Sequence, residues 1–170
     1  MKSNITINAL NKNFKKSLAK KLANKLEMFY VDINDMLQYD LINIKQIINK
    51  AGIDYYNEVE TKTIKTIASY ENTMATINLD SFFNNYNYKI LKETNLFIYI
   101  RVSFKDFKNK LIEEQPKSSK YEIMLDEKVF AERDNIFCSL SDIIVNVKTS
   151  DKKIEDKIIK EILKYYKEVL

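Results

Sequence analysis

The chain has no histidine and no tryptophan, and its 170 residues include one glycine, one proline and one cysteine. Each absence removes a class of chemistry. Without an imidazole there is no Ser-His-Asp triad, no histidine-ligated metal and no imidazole base. A lone cysteine builds neither a disulfide framework nor a thiolate zinc site, so nothing here speaks for secretion. With one glycine, a loop that presses several positive-φ residues against phosphate is hard to build. The chain is rich in Lys, Asn and Ile, and a drift in base composition accounts for part of the glycine shortage. The chemical consequence stands regardless. No apolar run approaches the roughly 18 residues of a membrane span, and the N-terminus lacks the apolar stretch of a signal peptide. The expectation is a soluble, cytoplasmic protein without a membrane partner.

What is present is charge, and most of it is lysine. Lys and Arg total 28 against 24 acids, a net charge of +4, and only Arg101 and Arg133 are arginines. Nucleic-acid binders favour arginine for bidentate contacts, so a lysine-dominated surface reads as solvation and nucleic acid is not the expected partner. The length suits a single domain over 1–170 with a core of normal size.

Strand and helix patterns alternate along the chain. Asn4 to Ala9 alternates as a strand. A helix follows with Phe14, Leu18, Leu22 and Leu26 on one stripe and Lys12, Lys16 and Lys20 on a solvated one. Met28 to Val31 reads as a short buried strand, and helical stretches over about 35–49 and 53–69 are separated by Gly52, a stop or turn. Met74 to Ile77 is a third strand, followed by an aromatic-polar segment and a helix near 86–94. Leu96 to Val102 is apolar almost throughout, the mark of a strand buried on both faces. A helix over 104–113, a loop, a helix near 124–136, a strand at 143–147 and a last helix complete the series. That last helix is expected to bury Ile154, Ile158, Ile159, Ile162, Leu163 and Tyr166. Such alternation predicts an α/β fold with a mainly parallel sheet covered on both faces, with ligands at the carboxyl ends of the strands.

The turn after the first strand is the place of a phosphate-binding loop, G-x-x-x-x-G-K-[S/T]. Here 9–17 reads Ala9-Leu10-Asn11-Lys12-Asn13-Phe14-Lys15-Lys16-Ser17. Lys15 holds the motif's lysine, but Ala9 and Phe14 stand at its glycines and Lys16 at its hydroxyl. A shift of one residue uses Lys16-Ser17 and leaves Leu10 and Lys15 at the glycine positions. Neither register restores the loop. A non-glycine residue forced left-handed costs roughly 1–2 kcal/mol, and a Phe ring fills space that phosphates need. Phe14 instead continues its helix stripe, which predicts core packing.

Further motifs follow in order, and together they resemble the shikimate kinase family. Lys15 and Ala19-Lys20-Lys21-Leu22-Ala23-Asn24-Lys25-Leu26 are similar to that family's lysine followed by G-R-x-L-A-x-x-L. Phe29 to Asn34 resembles F-V-D-T-D, and Gly52 to Glu60 resembles G-x-x-x-F-R-x-x-E. Met74 to Leu79 stands where A-T-G-G-G would be, and Phe97 to Ile100 where V-V-Y-L would be. Glu114-Gln115-Pro116 resembles the R-P-L of the lid, and Arg133 to Phe137 resembles R-x-P-L-Y, with Ser141-Asp142-Ile143 as A-D-I. The resemblance spans nearly the whole chain. It implies a three-layer P-loop kinase-like fold with a five-stranded parallel sheet flanked by helices. It also divides the chain into a degenerate phosphate loop at 9–17, a substrate-binding-like region at 33–60 and a lid-like segment at 113–121.

The activity implied by the resemblance is transfer of the ATP γ-phosphate to the 3-hydroxyl of shikimate with Mg2+. Carried over by position, Lys15 and Ser17 would serve the nucleotide, and Asp32 would help hold Mg2+ through water. Asn34, Asn57 and Arg133 would serve the substrate. Most of these positions depart from the motif. The second Asp of the family is Asn34, a carboxylate-binding Arg is Asn57, the triple Gly is Ile77-Asn78-Leu79, and the lid Arg is Gln115. Phosphoryl transfer depends on positioning and on positive charge around the moving group, and an arginine finger alone is worth roughly 10³–10⁵ in rate. The departures converge on one reaction. The expectation is therefore a pseudoenzyme that acts by binding a protein partner or an altered small-molecule ligand, with no cofactor. The alternative is a divergent shikimate kinase that still uses ATP and Mg2+.

Each residue also has a plainer role. Lys15 is otherwise a surface lysine, and Asp32 a helix cap. With Asn57 in place of arginine, Glu60 is expected as a helix-surface acid or a partner for Arg133. Arg133 is either an anion contact or half of a structural ion pair, and Cys138 is packing rather than a nucleophile. Phe82, Phe83, Tyr86 and Tyr88 either cover the substrate cleft or present an aromatic surface to a partner.

Overall fold

In the computed structural model, which describes residues 2–41, 43–114 and 126–169, the alternating patterns become five strands and seven α-helices among the described residues. The strands are β1 (Asn4–Asn8), β2 (Phe29–Asp32), β3 (Thr73–Thr76), β4 (Asn95–Arg101) and β5 (Ile143–Asn146). They form one sheet in the order β2-β3-β1-β4-β5. The helices are α1 (Lys12–Lys25), α2 (Ile33–Leu41), α3 (Ile44–Ser69), α4 (Asn85–Thr94), α5 (Phe104–Glu114), α6 (Glu127–Leu140) and α7 (Ile154–Val169). The expected parallel α/β class is what the chain adopts. No helix among the described residues is long and apolar enough to cross a membrane.

The chain packs as two units, Met1–Ile7 with Ala23–Leu96 and Asn8–Leu22 with Phe97–Leu170. In the first, β1 and β2 each pair parallel with β3, with Ile5 opposite Met74 and Val31 opposite Ala75. Ile7, Met74, Ala75 and Ile77 are fully buried, as are Ile33, Leu37, Ile64, Ile67 and Leu91 of the helices. The other face of β1 is polar yet buried. Asn4 bridges the Tyr70 carbonyl and the Thr73 N–H, and Thr6 accepts from the Asn95 amide.

Two expectations need correction in this unit. The helical stretch 35–49 is not continuous, because α2 ends at Leu41 and Asn43 caps a new helix by accepting the Gln46 N–H. An Asn side chain offers a fresh N-cap there. Gly52 then breaks α3 as expected, at φ 85° and ψ 167°, a conformation that glycine adopts without penalty. Nor is β2 a buried strand. It lies at the sheet edge, and Phe29 is 72% exposed.

In the second unit β4 and β5 run parallel, with Ile98 opposite Ile143. β4 is buried from Asn95 to Ile100, as its unbroken apolar run predicts. Tyr99 stacks on Phe137 of α6 at 5.1 Å. In α7, Ile154, Ile158 and Ile162 are buried, Ile159 and Tyr166 are half-buried, and Leu163 is exposed, contrary to expectation. The i, i+4, i+8 stripe is narrower than the apolar composition of the helix. The first residues of the helix expected near 124–136 lie outside the described residues; α6 itself starts at Glu127, capped by Asp126.

Candidate functional site

The turn after β1 carries the first group of candidates. Asn11 is buried and caps α1, its Oδ1 accepting the Phe14 N–H at 2.8 Å. That cap sets the helix phase. Lys15 is 4% exposed and lies on the inward face with Leu18, Ala19 and Leu22, so it is not the surface lysine of the plainer reading. Phe14 is only half-buried, against the expected core packing, because the buried face runs through Lys15. Ser17 is exposed and, with Phe14, Lys21 and Lys110, lines a cavity of about 250 Å³. Lys12 and Lys20 are exposed and Lys16 is half-buried, a largely solvated row.

An acid from the end of α5 is bound to this turn. Glu114 Oε2 accepts from the Asn13 amide at 2.9 Å and from the Asn11 amide at 3.3 Å. Neither asparagine pattern nor charge run signals this contact, which joins positions about a hundred residues apart. The rest of the lid-like segment 113–121, including Gln115 and Pro116, lies outside the described residues.

Arg133 is half-buried in α6 and lines a small cavity with Leu10, Phe107, Val129 and Phe130. Among the described residues no hydrogen bond or ion pair reaches its guanidinium, so the structural ion pair is not seen there. The adjacent Asp134 has that role instead. It is buried, takes Arg101 Nη2 at 2.6 Å and Nε at 3.0 Å, and accepts the Tyr99 hydroxyl at 2.7 Å. Burial, then the Asp134 carboxylate, raises the Tyr99 hydroxyl far above its ordinary value. Arg101 and Asp134 border a cavity of about 600 Å³. Sequence reasoning did not single them out. Cys138 is half-buried and its thiol is pushed up by desolvation, which suits packing and not nucleophilic attack.

In the other unit, the ends of β2 and β3 hold the second group. Asp32 is buried. Its Oδ1 accepts the N–H groups of Asn34 and Asp35 at 3.0 and 3.2 Å, capping α2. Its Oδ2 accepts the Thr76 hydroxyl at 2.5 Å. With that proton committed, Tyr30, whose hydroxyl lies 3.0 Å from Thr76 Oγ1, is the donor in its own bond. Beside it, Asn34 and Asn78 exchange two hydrogen bonds, at 3.0 and 2.7 Å, amide to amide. Asn57 is exposed on α3. Glu60, expected on the surface or beside Arg133, is buried and accepts from Ser81 at 2.9 Å and Tyr56 at 3.1 Å. Burial and then Glu60 push the Tyr56 hydroxyl up to about 12. The aromatic segment divides. Phe82 is buried with Tyr88 edge-on at 6.4 Å, while Phe83 and Tyr86 are exposed, with Lys65 over the Tyr86 ring.

Comparison with known proteins decides the family. A family model described as shikimate kinase matches residues 14–166. The chain belongs to the shikimate kinase family. A shikimate kinase of Sulfurihydrogenibium is 29% identical over 151 residues, covering 88% of this chain and 89% of that protein. Among solved structures, a shikimate kinase from Bacteroides thetaiotaomicron superposes with a TM-score of 0.75 at 16% identity, covering 95% and 98% of the two chains. One from Acinetobacter baumannii, in complex with shikimate, gives 0.72 at 17% identity, covering 96% and 94%.

Against the shikimate kinase pattern, the groups that would serve ATP and Mg2+ fit poorly. Lys15 points inward as required. The side-chain amides of Asn11 and Asn13 in the turn, however, are held by a carboxylate, Lys16 and not a hydroxyl follows Lys15, and three protein donors already occupy Asp32. An ionised carboxylate offers about four acceptor sites, which leaves Asp32 little capacity for the water shell of a cation.

Proposed function

We propose that this shikimate kinase family member has given up phosphoryl transfer and acts by binding, to a protein partner or to a ligand other than shikimate. The observation that carries this reading is the Glu114 clamp on Asn11 and Asn13. A phosphate-binding turn must offer donors and positive field to several negative charges. Here its side-chain donors are spent on an acid. The Asn34–Asn78 pair supports the same reading from the other unit. The resemblance assigns substrate hydroxyls to one position and a glycine to the other. In this chain the two amides satisfy each other.

A second reading is a divergent shikimate kinase, favoured by the inward Lys15 and by Arg133, which is half-buried and lines its cavity unpaired among the described residues. A coupled ADP-release assay with shikimate, ATP and Mg2+ separates the two. The proposal expects no turnover above background and no thermal shift with ATP·Mg2+. Turnover that Lys15→Ala and Arg133→Ala both abolish would establish the second reading instead.

A further inference from the structure

We infer that the cavity at the carboxyl ends of β4 and β5 is a binding site for the zwitterion of a free α-amino acid with an apolar side chain. The cavity measures about 600 Å³, a size that suits a small molecule. It lies within one unit, and among the described residues none of its lining comes from the turn at 9–17. The inference therefore does not rest on the loss of phosphoryl transfer. The wall holds charges of both signs, Arg101, Lys148 and Lys157 against Asp106, Asp134 and Asp151. An anion would meet Asp106 and Asp151, and a cation would meet Lys148 and Lys157.

The internal bonds decide which charges are left for a ligand. Buried Asp134 holds Arg101 through Nε and Nη2 and is itself held by the Tyr99 hydroxyl. The guanidinium is thus anchored along one edge, and its Nη1 has no partner among the described residues. Lys157 donates to the Asn146 carbonyl. The Lys148 N–H donates to Asp151 at 2.9 Å and the Asp106 N–H to Ser103 Oγ at 3.1 Å, which pins both backbones. Neither the Lys148 ammonium nor the Asp106 carboxylate makes a hydrogen bond or ion pair among the described residues. Opposite charges that line one cavity without meeting are complemented by a ligand that carries both. The carboxylate of an amino acid suits Arg101 Nη1 and Lys148, and its ammonium suits Asp106. Phe104 and Phe130, half-buried with ring centroids 5.2 Å apart, join buried Val102 and Val147 as an apolar wall for the side chain. A fatty acid would leave Asp106 unanswered, and an alkylamine would leave Arg101 and Lys148 so.

The test uses the full chain, with L-leucine as probe and two analogues that keep its side chain. One, 4-methylpentanoate, lacks the ammonium; the other, 3-methylbutylamine, lacks the carboxylate. Amide-detected NMR titration should show saturable shifts at 101–106 and 146–151 with L-leucine. Either analogue should bind about 5- to 10-fold more weakly, the worth of a charged contact that is partly open to water. Asp106→Asn should weaken L-leucine by a similar factor and leave 4-methylpentanoate no weaker, since only the ammonium contact is lost. Lys148→Gln, at an exposed position, should weaken L-leucine and 4-methylpentanoate by about 2- to 5-fold and spare 3-methylbutylamine. No saturable shift, an analogue that binds as well as L-leucine, or unchanged affinity in both variants would overturn the inference. The coupled ADP-release assay is a separate readout, so failure of this inference and failure of the proposed function are told apart.

Discussion

Neutralising Glu114 tests the clamp directly. A phosphate seated on the amides of Asn11 and Asn13 would lie about 5 Å from the carboxylate that now holds them. At that distance each pair of unit charges repels by about 0.8 kcal/mol in a water-like medium and about 3.3 kcal/mol at an effective dielectric of 20. Glu114 is half-buried, so its effect falls between these limits, about 4- to 250-fold in affinity per charge. Glu114→Gln keeps an oxygen to accept from the two asparagines and removes only the charge. Tripolyphosphate and ATP, titrated calorimetrically at low salt where screening is weakest, should therefore bind Glu114→Gln at least about 4-fold tighter than wild type. Raising the ionic strength should narrow that gap. Equal affinities in the two proteins would refute the electrostatic argument. So would micromolar binding of ATP·Mg2+ by wild type, since the clamp would then yield to nucleotide.

Two further outcomes follow from the fold. Gly52 sits at φ 85°, and a Cβ built there meets nothing within 4 Å, so Gly52→Ala should lose about 1–3 kcal/mol in urea unfolding through backbone strain alone; a loss near zero would show that the helix junction relaxes. Tyr99 and Tyr56 have hydroxyls raised above the usual tyrosine value, by burial first and then by Asp134 and Glu60. A raised folded-state value means that their contribution is fully present below pH 10 and is lost as pH climbs through the folded values, for Tyr56 at about 12. Tyrosinate absorbance should show these two lagging behind the exposed tyrosines until alkaline unfolding releases them, and titration of every tyrosine near 10 in the folded protein would contradict the assigned contacts.

Element type was legible because local chemistry decides it. The unbroken apolar run of β4 announced burial on both faces, and Gly52 announced a break. Burial at β2 was misjudged because a short apolar strand reads the same at a sheet edge as at its centre, and strand order is set by the whole chain. Lys15 and Phe14 are a finer case. The stripe Phe14, Leu18, Leu22 competes with Lys15, Leu18, Ala19, Leu22, Ala23, and the two alanines favour the second phase. Weighing small residues as well as large ones would have placed Lys15 inward. Glu60 carried a similar signal, since it shares a helical face with the buried Thr63, Ile64 and Ile67.

The candidate site was legible as a set of departures, and the structure changes what they mean. Read one at a time, Asn34 and Asn78 are a lost acid and a lost glycine. Side by side they form a closed pair of hydrogen bonds. Asn11 and Asn13, at variable positions of the loop pattern, share one acid at the end of α5. Such pairings lie beyond any sequence window, because they join residues tens to a hundred positions apart. A buried polar group left unpaired costs about 1–3 kcal/mol. Asn34 and Asn78 satisfy each other, and Glu114 satisfies the side-chain amides of Asn11 and Asn13, so these polar groups serve the stability of their own units. Changing one member of the Asn34–Asn78 pair should leave the other amide without its partner, so the losses of the two single variants should sum to more than the loss of the double variant, a coupling that a double-mutant cycle in urea unfolding reads.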